Sequence, residues 1–567
     1  MFTKLVFGGN AIWINVSVAV FSSFVSATSR AQDIPAKFEP NAAIESAAAK
    51  IDEGSLRGAI RFLADDLLEG RGPGTVSDEI TQLYLSTQLE SFGYQPAAGK
   101  GKWIQRVPMI GVTTQCPPTV SIRHGQNNLE LKFFDDFIGN GGRPQESISI
   151  DDAELVFVGY GIQAPEFQWD DFKGKDLRGK ILVMMNNDPE IDPKIFAGRR
   201  RLYYGRWSYK YEMAAKHGAA GAIIIHTTPS AGYPFTVVQT SWTGEEFELE
   251  DTVSPRLSMK AWVTEDAARR LFSQAGFELD VLRSQAEGRD FQPVSLGSHL
   301  SIDLKSQVRT KETGNVLGVI EGSDPKLKNE FIVLMAHHDH LGLAESRDQN
   351  GDNIYNGAID NASGTATLLC LAKAFASLSE RPRRSILVAA VGAEEQGLLG
   401  SAYLAAHPPV PPEKMAALIN IDGLNHLGPS RDVHVIGAGK SSLDLLIASV
   451  AQYQGRLVTP DLFPDRGSYY RSDQFSLAKI GVPGVYLQSG TNIRDQPPGW
   501  GKEQLDRWIE THYHQRNDEY DTKWDLRGAV EDAKLLFYVA WLAGDAPTMQ
   551  TWQPGDEFEQ YRKKESQ

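Results

Sequence analysis

Apolar residues first recur at helical spacing. The stretches from Ala42 to Glu53 and from Ser55 to Leu68 carry it, and Ile80, Leu83, Tyr84, Leu89 and Phe92 continue it between Ser77 and Phe92 at intervals of about 3.6 residues. From Glu154 the period changes. Leu155-Val156-Phe157-Val158 leads into Gly159-Tyr160-Gly161, and the run from Lys180 to Met185 has the continuous apolar character of a buried strand. A helix predicted from Trp207 to His217 stops at Gly218 and feeds a short strand from Ala222 to His226. Residues 150–295 thus form an expected β-rich module without clustered histidines and carboxylates, and so without catalytic chemistry of its own.

From Asn315 onward strands and helices alternate. Strands are predicted at Asn315 to Ile320, Phe331 to Ala336, Ser385 to Val391, Ala417 to Ile421, Asp432 to Ile436 and Val482 to Leu487. Helices are predicted from Ser363 to Leu378, from Ser442 to Tyr453 and, last, from Leu526 to Leu542. Such alternation implies an α/β fold with a mostly parallel or mixed sheet covered by helices on both faces, here interrupted by the smaller β-rich domain. The expected division is a helical amino-terminal part at 32–149, the insertion at 150–295, the main α/β domain at 296–545 and a polar tail at 546–567.

Residues 1–31 stand apart. Lys4 precedes a mostly apolar stretch from Ala11 to Phe21, and Val25-Ser26-Ala27 and Ser29-Arg30-Ala31 offer small-residue cleavage sites. Asn10 and Asn15 interrupt the run, which falls short of the ~20 apolar residues that a spanning helix needs. The pattern predicts a secretory signal peptide, an exported protein and no membrane attachment after cleavage.

Composition narrows the chemistry. The 57 Lys and Arg against 72 Asp and Glu leave a formal charge of −15 in 567 residues, with no basic stretch, so the chain has no electrostatic reason to bind nucleic acid. Two cysteines, Cys116 and Cys370, cannot build a disulfide framework or a multi-cysteine zinc site, and no disulfide is expected. Metal chemistry therefore falls to histidine and carboxylate.

Those residues cluster at strand ends. The run from Phe331 to Ala336 ends in His337-His338-Asp339-His340, that from Ile386 to Val391 in Gly392-Ala393-Glu394-Glu395, and that from Leu418 to Ile421 in Asp422. Ligands of open α/β sheets bind outside the carboxyl ends of the strands, so these side chains are expected to converge in one crevice. Asp360, in Asn356-Gly357-Ala358-Ile359-Asp360-Asn361, joins them at the start of a helix. Such a mixed His and carboxylate set suits zinc, and two ions sharing a carboxylate need about five protein ligands.

Ala336-His337-His338-Asp339, Asp360-Asn361-Ala362-Ser363-Gly364, Glu394-Glu395-x-Gly397-Leu398-Leu399-Gly400-Ser401, Asn420-x-Asp422, Ser472-Asp473 and Tyr513-His514-x-x-x-Asp518 follow in the order seen in the M28 family of zinc aminopeptidases, which the chain resembles. Residues 150–295 resemble a protease-associated domain, which some members carry inserted ahead of the metal motifs. The resemblance implies an exported dizinc aminopeptidase acting on peptides. His337 and Asp422 would hold one zinc ion, Glu395 and His514 the other, and Asp360 would bridge them. Asp339 would orient His337. Glu394 would act as general base on metal-bound water, and Tyr513 would hydrogen-bond the oxyanion. His338, His340, His426 and His512 are read as capped or solvent-facing residues. Gln474 stands where many relatives have His, a change expected to alter the pocket and not the metal set. Asp348-x-Asn350-Gly351-Asp352 lacks the spacing of a calcium loop and reads as a tight turn. The alternatives are a peptidase resembling glutamate carboxypeptidases, a single-zinc acyltransferase resembling glutaminyl cyclases, and a non-catalytic, receptor-like binding protein.

Overall fold

In the computed structural model, four parallel strands lie side by side in the order Ser385–Val391, Phe331–His337, Met415–Asn420 and Gly484–Ser489. They match the predicted apolar runs; two of the four, Ser385–Val391 and Met415–Asn420, are buried along their whole length, and Phe331–His337 is buried at every position but Phe331. The end of Val294–Ile320 and the strand Asp432–Ile436 flank them antiparallel. The structure describes residues 38–564 except 193–194, 199, 251–254, 345 and 350, so the predicted signal peptide and Asn350 lie outside the described residues.

Topology places the site. Strand Phe331–His337 is central, and the chain leaves it first for a neighbour on one side and later for one on the other. That reversal opens a crevice at the carboxyl ends of the strands. Helix Gly364–Ala376 covers one face and buries eleven of its thirteen residues, Cys370 among them. Helix Arg527–Asp545 packs beside it through Phe375 and Phe537, whose ring centroids are 4.8 Å apart.

The amino-terminal helices Ala42–Ala48, Glu53–Leu63 and Val76–Ser91 form where the spacing predicts them. Asp52 caps the second by accepting the Ser55 N–H at 2.8 Å, and the third ends where Gly93 takes a φ of +90°. After this point the structure departs from the expected helical segment at 32–149. Residues 104–141 are strands, beginning with Ile104–Gln115, which pairs antiparallel with Val294–Ile320 from Val316 back to Lys305. Short alternations such as Val120 and Ile122 are half-buried strand signals that the surrounding polar residues hide.

The second hydrophobic core accordingly runs from Val120 to Leu304 and not from residue 150. Within it, Ser147–Phe157, Ile181–Met185, Gly221–His226 and Met259–Thr264 form a parallel array. The 27-residue strand Val294–Ile320 runs from this array into the main sheet, so both share one continuous hydrogen-bonded backbone. The tail at 546–567 is also more than polar: Trp552 and Phe558 are buried with Tyr469, Tyr470 and Phe475. Cys116 and Cys370 are both free. Among the described residues no helix is long and apolar enough to cross a membrane.

Candidate metal centre

His337 closes its strand and is 1% exposed, with Nε2 3.4 Å from Asp360 Oδ1 and 3.5 Å from Asp422 Oδ1. His514, in the turn after helix Trp500–Thr511, has Nε2 3.4 Å from Asp360 Oδ2 and 3.1 Å from Glu395 Oε2. Asp360 thus offers one carboxylate oxygen to each imidazole. Two donors of a tetrahedral zinc ion, each about 2.0–2.1 Å from the metal, stand roughly 3.3–3.4 Å apart. The four separations match that edge length. Five carboxylates, Asp339, Asp360, Glu394, Glu395 and Asp422, surround two imidazoles in largely dehydrated space, a charge excess that only cations balance. The residues therefore fit two divalent ions.

The elements fix this geometry. Asp518 accepts the main-chain N–H groups of Ile359 and Asp360 at 3.0 Å each, which holds the Asp360 turn. Asp339 accepts those of Glu394 and Glu395 at 3.0 and 3.3 Å, tying one strand end to the next. Its expected orienting bond to His337 takes a different form: His337 Nδ1 donates to the Asp339 main-chain carbonyl at 3.3 Å, while the nearest carboxylate oxygen stands 3.7 Å away. The main-chain oxygen fixes the same tautomer, so orientation does not depend on the Asp339 side chain alone.

Glu394 lies 4.0 Å from His337 Nε2. Burial, and then Glu395, Asp473 and Asp422, hold its carboxyl well above the usual range against the opposing pull of His337. Burial opposes charge on His337 too, but Glu394, Asp339, Asp360 and Asp422 outweigh it and hold that imidazole well above its ordinary value. His514 is raised in the same way, chiefly by Glu395 against burial. Burial and Asp360 would raise Glu395, yet His514 and His340 bring it to about 2.

Of the four histidines set aside, three are where a bland reading puts them. His338 donates from Nε2 to the Gly314 carbonyl at 3.0 Å behind the site, His512 pairs with the Thr511 hydroxyl, and His426 packs on Trp524. His340 differs, because its Nδ1 meets Glu395 Oε1 at 2.6 Å and its ring stands 5.9 Å from that of His514. Its spacing three residues after His337 was the available signal. Gln474 accepts from Asn420 Nδ2 at 2.8 Å, and so buttresses the strand that delivers Asp422. Asp348 accepts the Asp352 N–H at 2.9 Å, the tight turn expected of that stretch. Tyr513 packs against His514 with the rings tilted by 32° and their centroids 4.0 Å apart, and its hydroxyl accepts from Arg471 Nη2 at 3.2 Å. Arg471 carried no sequence signal. Arg71 carried none either. Its buried guanidinium donates to the carbonyls of His338 at 2.8 Å, Asn356 at 2.6 Å, Gly357 at 2.9 Å and Leu63. It therefore clasps both loops that carry the centre.

A sheet with paired His and carboxylate sets at its strand ends defines a metallohydrolase-type domain. Residues 315–538 match the model of peptidase family M28. The aminopeptidase NAALADL1 of Mus musculus is 31% identical over 143 residues, 24% of this chain and 17% of that protein. A glutamate carboxypeptidase 2 homolog of Caenorhabditis elegans is 38% identical over 109 residues, 18% of this chain and 12% of that one. The chain thus spans less than a fifth of the length of these relatives. The solved aminopeptidase from Aneurinibacillus sp. strain AM-1 shares the fold, with a TM-score of 0.50 and 20% identity over 90% of this chain and 98% of that one.

Proposed function

We propose that the protein is an exported dizinc metallo-aminopeptidase that hydrolyses amino-terminal residues from peptides. The observation that carries this reading is Asp360, whose two oxygens stand 3.4 Å from His337 and 3.4 Å from His514. His337 and Asp422 would hold one ion with it, and His514 and Glu395 the other. Zinc ions bound there would polarise the scissile carbonyl and lower the pKa of water towards ~7.

The chain's own groups do the rest. Glu394 takes the proton of the attacking water and returns it to the departing amine, a task suited by a carboxyl whose proton affinity burial has raised. The Tyr513 hydroxyl donates to the developing oxyanion while Arg471 occupies a lone pair of the same oxygen, which leaves its hydrogen free for that role. His340 braces Glu395. Export rests on the basic and apolar pattern of the first 31 residues.

The test is a panel of peptides blocked at one end, assayed with the zinc-loaded protein. Peptides with a free amino terminus and an amidated carboxyl terminus should be cleaved, and acetylated ones should not. The reverse pattern identifies a carboxypeptidase, and inertness to all of them a binding protein.

A further inference from the structure

Beside the centre lies a cleft of about 240 Å³. Part of its lining is apolar, from Leu424, Leu427, Leu505, Trp508 and Ile509. Another part carries two guanidinium groups, Arg466 and Arg471, with Tyr233 reaching in from the inserted module. Arg466 sits over Phe463, its Cζ 3.7 Å from the ring centroid. Stacking uses the face of the guanidinium and leaves the N–H edge for an in-plane acceptor. Arg471 sits 5.5 Å above the Tyr233 ring and donates to Tyr513, which places it one residue from His514.

Neither arginine has a carboxylate within 4.0 Å among the described residues. Burial lowers the pKa of Arg466, and Asp465, Asp506 and Asp461 offset this only at longer range. Two more arginines of the inserted module, Arg201 and Arg206, add positive charge nearby. Burial, and then repulsion from Arg471, pushes Arg206 down to about 9. This is not for want of acids, since the chain has 72 carboxylate residues against 57 basic ones. Arg466 is thus a half-buried cation without a close counter-ion, which is costly unless a ligand supplies the charge. Burial opposes charge on Arg471 too, but Tyr513, Tyr233 and Glu394 outweigh it and hold that guanidinium above its ordinary value.

We propose that Arg466 and Arg471 form an anion-accepting wall of the catalytic cleft, so that the preferred substrate presents a carboxylate there. A carboxylate meets a guanidinium edge with two parallel N–H···O bonds, which is the geometry Arg466 leaves open. This deepens the peptidase reading and rests on it for the identity of the ligand. The carboxylate has two sources, an acidic side chain next to the scissile bond or the terminal carboxyl group of a short peptide.

The experiment compares two matched pairs on the full-length, zinc-loaded protein: glutamyl against glutaminyl coumarin amide, and leucyl-leucine against its amide. At least one carboxylate member should have the higher kcat/KM by about tenfold or more, the size of a charge-assisted contact, and the pair that shows it names the source. Arg466→Gln should remove that preference, and Arg466→Lys should restore part of it. The same four compounds titrated calorimetrically into the Glu394→Gln variant read binding without turnover, so the wall is tested even if the protein proves not to be an aminopeptidase. Equal or weaker binding of both carboxylate members, or a preference that survives Arg466→Gln, overturns the proposal.

Discussion

Glu394 and Glu395 hang from one anchor and face different imidazoles. Asp339 accepts both of their N–H groups, yet Glu395 Oε2 stands 3.1 Å from His514 Nε2, while Glu394 Oε2 stands 4.0 Å from His337 Nε2. Neighbours of identical chemistry thereby take different places, as the proposed ligand role of Glu395 and general-base role of Glu394 require.

Glu394→Gln should keep both metals and lose about 10²–10⁴ in kcat with little change in KM, because an amide accepts no proton. Glu395→Gln should instead lower metal occupancy, since a neutral amide oxygen is a weaker zinc ligand. Metal analysis beside steady-state kinetics decides between them, and the opposite pattern reverses the assignment.

Chelation should abolish activity, and about two equivalents of zinc should restore it. Asp360→Ala should be the most damaging ligand change, because each imidazole loses its shared partner at 3.4 Å and the two cations lose the charge between them. Two tightly bound ions persisting in that variant would remove Asp360 from the bridging place.

Arg71 serves four carbonyls of three separate segments. Arg71→Met strips all four of their donor and is expected to cost about 3–5 kcal/mol of unfolding free energy and to weaken zinc binding. Arg71→Lys should recover only part, since an ammonium cannot reproduce the planar fork. Denaturant titration with and without zinc measures both effects, and an unchanged midpoint would refute the clasp.

His226 is buried among Tyr233, Phe235 and Trp262, and burial lowers its pKa from 6.5 to about 4. The unfolded chain therefore takes up this proton first as the pH falls. The contribution of His226 to stability is complete above about pH 6.5 and is lost towards pH 4, at up to about 1.4 kcal/mol per pH unit. His226→Leu should flatten the fall in unfolding free energy over that window, read by denaturation at stepped pH. An unchanged slope would show that the imidazole is protonated in the fold.

The apolar runs that became Phe331–His337, Ser385–Val391 and Met415–Asn420 are legible in the sequence because a strand buried on both faces has almost no polar residues. The polar residue that ends each run marks the crevice for the same reason, and so His337, Glu394, Glu395 and Asp422 were readable one by one. Asp360 and His514 lie on turns without such a signal and were reached through the order of motifs. What the sequence left undetermined depends on residues far apart along the chain. Strand Ile104–Gln115 is fixed by its partner some two hundred residues away, and its alternation alone is too weak to outweigh the helices before it. Arg71 meets the loops of His338 and Gly357 across more than 260 residues, and Tyr233 meets Arg471 from another module. Nothing local to an arginine says which carbonyls or which rings it will face. Tertiary structure alone decided that, because hydrogen bonds and ring contacts depend on distance in space, while the pattern of a sequence records only the period of the element in which each residue sits.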